Sequence, residues 1–254
     1  KCERNSSGDW DLLVRSGKQT FTVRAKFLVD AAGRACVLAR NFHRRRVIYD
    51  RLVGIYGLFK RVHHNGPSWT LVEATKDGWW YSAPLPRECH VVAFMTDSDL
   101  CASLLMGRAS HWKTQLDSAP HTRAAVASLE FDGSLNVLPA NTSHLNESFG
   151  ERWMAIGDAA SSLDPLSGNG VLRALRSGLA AGQTILSVLS GDESALREHQ
   201  SVQQQEFRLY LEQRRAYYRR ENRWSKEPFW SRRHEPVAGF FEAGVALPPS
   251  IGLP

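Results

Sequence analysis

The sequence predicts an α/β fold in which part of a parallel sheet with its crossover helix is interrupted by an antiparallel β-sheet carrying helices. Three observations predict it. Two short apolar runs, Phe27-Leu28-Val29 and Trp153-Met154-Ala155-Ile156, read as buried parallel strands, and each is followed by a carboxylate among small residues, Asp30-Ala31-Ala32-Gly33 and Gly157-Asp158-Ala159-Ala160. Apolar residues recur at helical spacing from Gly170 to Leu189. Between the two runs lie several alternating segments separated by polar turns, the pattern of an antiparallel sheet.

Taken in order, Trp10–Val14 and Thr20–Ala25 flank Ser16-Gly17-Lys18 and predict a hairpin. The first apolar run follows. Strands are then expected at Gly54–Phe59, Trp69–Ala74, Trp79–Ser82 and His90–Met95, and helices from Asp97 to about Leu116 and, after Pro120, over Thr122–Leu129. The second apolar run leads into the helix Gly170–Leu189, where Ala174, Gly178, Ala181 and Gly182 suit close packing against a sheet. Ser194 to about Asn222 reads as a long polar helix with Phe207, Tyr210, Leu211, Tyr217 and Tyr218 as its contacts. These elements divide the chain into a first sheet segment (1–42), an inserted substrate domain (43–148), a second sheet segment (149–192) and a C-terminal helical region (193–254).

The 254 residues suffice to bury a sizeable core, and 43% hydrophobic against 23% charged residues excludes wholesale disorder. The formal charge of +6 is concentrated in Arg44-Arg45-Arg46 and between Arg214 and Arg233. Neither stretch forms a nucleic-acid module, so both read as solvated basic faces and nucleic acid is not an expected partner. Cys2, Cys36, Cys89 and Cys101 are scattered without a C-x-x-C pair, which signals neither zinc nor a redox dithiol and suits a reducing compartment. Under that reading the N-x-S/T sequons at Asn5, Asn141 and Asn146 are chance matches. No apolar run approaches the length of a membrane span and no signal peptide opens the chain, so a cytoplasmic protein without a membrane partner is expected. The chain opens on Lys1, inside a β-like region, and reads as the continuation of a longer protein.

The segment richest in chemistry runs from Gly157-Asp158 through Asp164-Pro165 to Gly168-Asn169-Gly170. A carboxylate at a strand end suits hydrogen bonds from sugar-like hydroxyls, and its small neighbours allow a close approach. Pro165 fixes a turn, and Gly168 and Gly170 open the next helix at little steric cost. Its first N–H groups and the positive end of its dipole suit an anionic ring.

These residues resemble flavin monooxygenases of the hydroxybenzoate-hydroxylase type and, more closely, flavin-dependent tryptophan halogenases, which carry G-D-A-A…D-P…G-x-G after a strand. The resemblance implies an FAD/NAD(P)-binding Rossmann-like domain, present in part, with FAD contacts from Gly157, Asp158, Pro165, Gly168, Asn169 and Gly170. Asp30-Ala31-Ala32-Gly33 is similar to the same family's D-A-S/A-G strand end, which implies contacts near the FAD nucleotide from Asp30 and Gly33. Gly78-Trp79-Trp80-Tyr81-Ser82-Ala83-Pro84 resembles the halogenase G-W-x-W-x-I-P, with Tyr81 at the second Trp and Ala83 at the Ile. This implies an aromatic substrate wall of Trp79, Trp80 and Tyr81. Tyr217–Trp224 and Pro228–Trp230 resemble the same group's C-terminal region without an assigned chemistry. No G-x-G-x-x-G occurs in the chain.

The resemblance implies an FAD-dependent oxidoreductase of monooxygenase type, acting on an aromatic or peptide-borne aromatic substrate. NAD(P)H or a partner flavin reductase would supply the electrons. A flavin-dependent halogenase and a truncated, non-catalytic binding module are the alternatives. No metal and no individual catalytic acid or base is expected from these residues. Adjacent His63 and His64 would point to opposite faces of a strand.

Overall fold

The computed structural model describes residues 2–61, 69–100 and 109–235. Strands β1 (Cys2–Arg4), β2 (Trp10–Ser16) and β3 (Gln19–Ala25) form an antiparallel sheet around the expected hairpin turn at Gly17. Strand β4 (Leu28–Asp30) leads through a turn of 3₁₀ helix into α1 (Val37–Asn41), then β5 (Arg46–Ile48) and β6 (Leu52–Arg61). Next come β7 (Leu71–Thr75), β8 (Gly78–Leu85) and β9 (Cys89–Asp97), helices α2 (Ala109–Asp117) and α3 (Pro120–Val126), and β10 (Leu129–Pro139). The short strands β11 (Ser143–Leu145), β12 (Phe149–Gly150) and β13 (Trp153–Ala155) precede α4 (Gly157–Ala160) and β14 (Ser161–Ser162). Helices α5 (Gly170–Leu189), α6 (Ser194–Tyr218) and α7 (Pro228–His234) complete the described residues.

The two apolar runs of the sequence meet. Strand β13 pairs in parallel with β4, setting Ala155 opposite Asp30 and bringing the two strand ends side by side. The inserted segment is an antiparallel sheet in the order β10-β6-β9-β8-β7. Alternation along its strands sends successive side chains to opposite faces. One face carries Ile55, Phe59, Trp80, Val92 and Phe94, covered by Trp112 and Leu116 of α2 and by Val126 of α3. The other carries Leu52, Trp79, Ala93 and Met95, covered in part by Tyr218, Phe229 and Trp230 from the C-terminal helices. At Gly78, where β8 crosses Met95, a Cβ would lie 2.1 Å from the Met95 carbonyl oxygen, so only glycine allows the approach.

Several expectations are corrected. Asp97 ends β9 instead of opening a helix; the helix begins by Ala109, and residues 101–108 of the expected span lie outside the described residues, as do His63 and His64. The segment from Leu129 to Pro139 is a long strand that alternation does not reveal, because Asp132-Gly133-Ser134 interrupts it and the register to β6 shifts between Phe131 and Leu135. In α5, Ala181 packs with Met154, but a Cβ at Gly178 or Gly182 would meet nothing within 4 Å, and Val171, Leu175, Leu179 and Leu186 are exposed. The expected packing of those glycines against a sheet is therefore not seen among the described residues.

The basic C-terminal stretch is not a solvated face throughout. The Arg214 side chain is 7% exposed and binds Asp50 and Asp164, while Arg233, at 2%, binds Asp97. Among the described residues no helix is long and apolar enough to cross a membrane, and no His, Cys, Asp and Glu side chains cluster as metal ligands.

Burial makes the fold sensitive to acid at His144. His144 on β11 stacks on Phe207 with ring centroids 5.0 Å apart, and its Nδ1 lies 3.2 Å from the Tyr49 hydroxyl. Burial, assisted by the charge of Arg46, lowers its pKa to about 4. The unfolded chain, near the ordinary value of about 6.5, therefore binds the proton first. The stabilisation is complete above about pH 6.5 and is lost as pH falls towards 4, by at most about 3 kcal/mol. Denaturation of the wild type and of His144→Gln at pH 7 and pH 4.5 checks this. Equal losses in both proteins would refute it.

Candidate functional site

A cavity of about 500 Å³ opens between the α4–α5 segment and the uncovered part of the antiparallel sheet. Its strand-end wall is formed by Arg34, Asp158, Leu163, Asp164, Pro165, Ser167 and Gly170. Gly54 and Tyr56 of β6, Tyr81 of β8, Ala93 and Met95 of β9 and Leu138 of β10 supply the opposite wall. The fold thus joins one wall from the glycine-rich motif to another from the sheet.

Local geometry prepares the first wall. Gly157, with φ +54°, turns the chain out of β13, and its N–H donates to Ser177 Oγ at 3.0 Å. Asp158 follows with its side chain 41% exposed, Oδ2 lying 3.9 Å from Arg34 Nε. Pro165–Ser167 is a single 3₁₀ turn capped by Asp164, whose Oδ1 accepts from the Leu166 N–H at 3.0 Å. Gly168 (φ +63°) reverses the chain in the left-handed region, and Asn169 brings no side-chain cap to α5. A Cβ at Gly168 or Gly170 would meet nothing within 4 Å. Space and helix N–H groups are thus both present at the start of α5.

Arginines brace this wall, and sequence reasoning missed their role. Arg46 Nη2 donates to Asp158 O at 2.8 Å and Ser162 Oγ at 2.6 Å, and its Nη1 to Ala159 O at 3.0 Å. Arg34 donates to Asn141 O at 2.7 Å and Leu163 O at 3.1 Å, bridging the β4 loop to the second motif. Burial lowers the Arg34 pKa while the Asp158 carboxylate opposes that shift. The position of Arg34 directly after Asp30-Ala31-Ala32-Gly33 was the available signal; Arg46 lay hidden within a run that read as solvated.

The expected site residues separate into groups. Asp158, Pro165 and Gly170 line the cavity, with Gly157, Gly168 and Asn169 beside them in the chain. Asp30 does not line it: its carboxylate, 2% exposed, accepts from the N–H groups of Ala32, Leu38 and Ala39 and so organises its own loop and α1. Gly33 (φ +62°) turns that loop and places Arg34, which does line the cavity. Of the expected aromatic wall only Tyr81 lines the cavity: alternation sends Trp80 to the other face of the sheet, and Trp79, on the same face as Tyr81, is covered by the C-terminal helices. Tyr81 faces the cavity, whereas Trp79 is 2% exposed and donates to the Tyr218 hydroxyl at 3.0 Å. Trp80 is fully buried on the far face, stacked on Phe94 at 4.8 Å. Ser82 and His90, 2.7 Å apart, form a buried pair and are not among the cavity's lining residues.

No known family profile matches the chain. It is 30% identical over 214 residues to LodB of Marinomonas mediterranea, classed by name among FAD-dependent oxidoreductases, covering 84% of this chain and 57% of LodB. It is 27% identical over 188 residues to a flavin-dependent halogenase of Armillaria mellea, covering 68% of this chain and 36% of that protein. Among solved structures, the flavin-dependent halogenase CmlS superposes with a TM-score of 0.79 at 19% identity, over 92% of this chain and 44% of CmlS. The peptidyl tryptophan dihydroxylase QhpG superposes with a TM-score of 0.65 at 27% identity, over 88% of this chain and 53% of QhpG. The chain thus spans about half the length of LodB and roughly a third of the Armillaria halogenase. With two converging strand ends, the glycine-opened helix and the facing antiparallel sheet all present, the chain is a homologue of part of the FAD-dependent oxidoreductases and flavin-dependent halogenases and shares their α/β fold.

Proposed function

We propose that the chain forms the flavin-facing and substrate-facing part of an FAD-dependent oxidoreductase of monooxygenase type, acting on an aromatic or peptide-borne aromatic substrate. The observation that carries this reading is a cavity bounded by Asp158, Pro165 and Gly170 on one side and by Tyr56, Tyr81 and Met95 on the other. The residues present suit FAD: the Asp158 carboxylate would accept from ribityl hydroxyls, and the open start of α5 would offer N–H groups to the electron-rich edge of the ring. When bound, FAD supplies the redox and oxygen chemistry.

The residues of the chain orient the reactants and exclude water. Gly54, Ala93 and Met95 leave an apolar floor that admits a flat ring, and the Tyr56 and Tyr81 side chains carry the hydroxyls of that wall. Arg34, facing Asp158, places the guanidinium charge at the strand-end wall, away from this floor. An uncharged aromatic side chain or small aromatic molecule fits that distribution. A reductant, NAD(P)H or a partner flavin reductase, completes the cycle. The names of LodB and QhpG favour oxidation; halogenation is the second reading, supported by the halogenase relatives.

Visible absorption of the full-length protein after addition of FAD tests the proposal. We expect bound-flavin bands in the wild type, and at least a tenfold weaker FAD affinity for Asp158→Ala, the scale of a lost charge-assisted hydrogen bond. A wild-type protein that takes up no FAD sinks the reading. Product mass with and without chloride or bromide then separates oxygen insertion from halogenation.

A further inference from the structure

Helix α6 presents Tyr210, Arg214 and Tyr218 at four-residue intervals, on one face. All three converge on Asp164, the residue that opens the Pro165–Gly170 loop. The Tyr210 hydroxyl accepts from the Asp164 N–H at 2.7 Å, and Arg214 Nε donates to Asp164 Oδ2 at 3.1 Å. The Tyr218 hydroxyl donates to the same oxygen at 2.8 Å. Asp164 is 1% exposed, so these bonds are made out of water, where a misplaced partner is costly.

The same side chains grip the substrate sheet. Arg214 Nη2 donates to Asp50 Oδ2 at 2.9 Å, and Asp50 in turn accepts from the N–H groups of Leu52, the first residue of β6, at 3.0 Å and of Thr142 at 3.2 Å. The Tyr218 hydroxyl accepts from Trp79 Nε1 on β8, next to Tyr81. The Tyr210 hydroxyl also lies 3.2 Å from Thr142 Oγ1. Burial raises the pKa of both tyrosines, which keeps their hydroxyls protonated, and the two carboxylates raise that of Arg214 against the effect of its burial.

We propose that Tyr210, Arg214 and Tyr218 are positioning residues that fix the Pro165–Gly170 loop relative to β6 and β8, and thereby set the placement of the flavin against the substrate wall. The inference rests on the FAD reading above. None of the three side chains lines the cavity; each acts through Asp164 or through the sheet. Two of the links can be cut without touching a cavity residue, at Tyr218 and, remotely, at Asp50.

The test uses full-length protein with and without FAD. The readouts are the FAD dissociation constant, the visible circular dichroism of the bound flavin, and the melting temperature of the apoprotein. Tyr218→Phe and Asp50→Asn are each expected to weaken FAD binding about tenfold and to alter the flavin dichroism, as loss of a hydrogen bond in a shared network would. The double variant should lose less than the sum of the two, because both changes release the same loop. Tyr210→Phe, which removes the acceptor of the Asp164 N–H together with the contact to Thr142 Oγ1, carries the same expectation should Tyr218→Phe not fold. Variants that melt lower yet keep wild-type FAD affinity and dichroism would make the cluster merely structural and overturn the inference, leaving the FAD reading intact. Absence of FAD binding in the wild type would overturn both.

Discussion

Asp97→Asn should destabilise the protein by about 3–5 kcal/mol, the range observed when one member of a buried ion pair is removed. Asp97 closes β9 at 2% exposure. It accepts from Arg233 Nη2 at 2.6 Å and Nη1 at 3.2 Å, and from Arg232 Nη1 at 2.9 Å. Arg232 also reaches Asp99 at 2.8 Å and retains a partner in the variant. Arg233 has no such outlet: its side chain is 2% exposed, lies 3.6 Å over the Phe229 ring and donates to the Phe229 carbonyl oxygen at 2.8 Å. Removing the carboxylate charge strands a guanidinium inside the packing that holds α7 against the sheet. Urea denaturation of the wild type, Asp97→Asn, Arg233→Met and the double variant Asp97→Leu/Arg233→Met checks the origin of the loss. The double variant should be more stable than either single one, because it leaves no unpaired charge. A loss below about 1 kcal/mol for Asp97→Asn, within the range of surface pairs, would refute the assignment.

The same residues show where a sequence stops being legible. Arg214 and Arg233 sit in a stretch whose charge density reads as a solvated face, because nothing local identifies their partners; Asp50, Asp164 and Asp97 lie 164, 50 and 136 positions away. Helix α5 is the opposite case. Its apolar period and opening glycines are local, and the expected span Gly170–Leu189 is the observed one. The two parallel strands were legible for the same reason, since an apolar run ending in a carboxylate needs no knowledge of its neighbour. Strand β10 escaped because a bulge breaks its alternation, and the acid-sensitive His144 because its burial comes from Phe207, 63 positions on. At the site, the glycine-rich motif carried its own geometry in the backbone. The bracing role of Arg34 and Arg46 depends on carbonyl oxygens of distant segments, which leave no mark in composition or spacing.

Trp80 and Tyr81 put this distinction to a direct test, since a shift of one residue along a strand exchanges the two faces of the sheet. Trp80 is fully buried, 4.8 Å from Phe94 and 5.1 Å from Trp112 by ring centroids, in the layer that joins the sheet to α2. Trp80→Ala should therefore cost about 3–5 kcal/mol, as large-to-small aromatic replacements in cores do, whereas Trp80→Phe keeps a ring in contact with Phe94 and should cost well under half of that. Tyr81 pairs across to Ala93 and turns its side chain into the cavity. Tyr81→Phe should leave stability within about 1 kcal/mol of the wild type, while raising KM for an aromatic substrate more than it lowers kcat, since a cavity hydroxyl that only orients the ring contributes to binding in the ground and transition states alike. Parallel denaturation and turnover measurements on the full-length protein separate the two positions. Were Trp80→Ala to change turnover at unaltered stability, the tryptophan would have to face the cavity, and the register of β8 against β9, which sets Trp80 opposite Phe94, would be wrong.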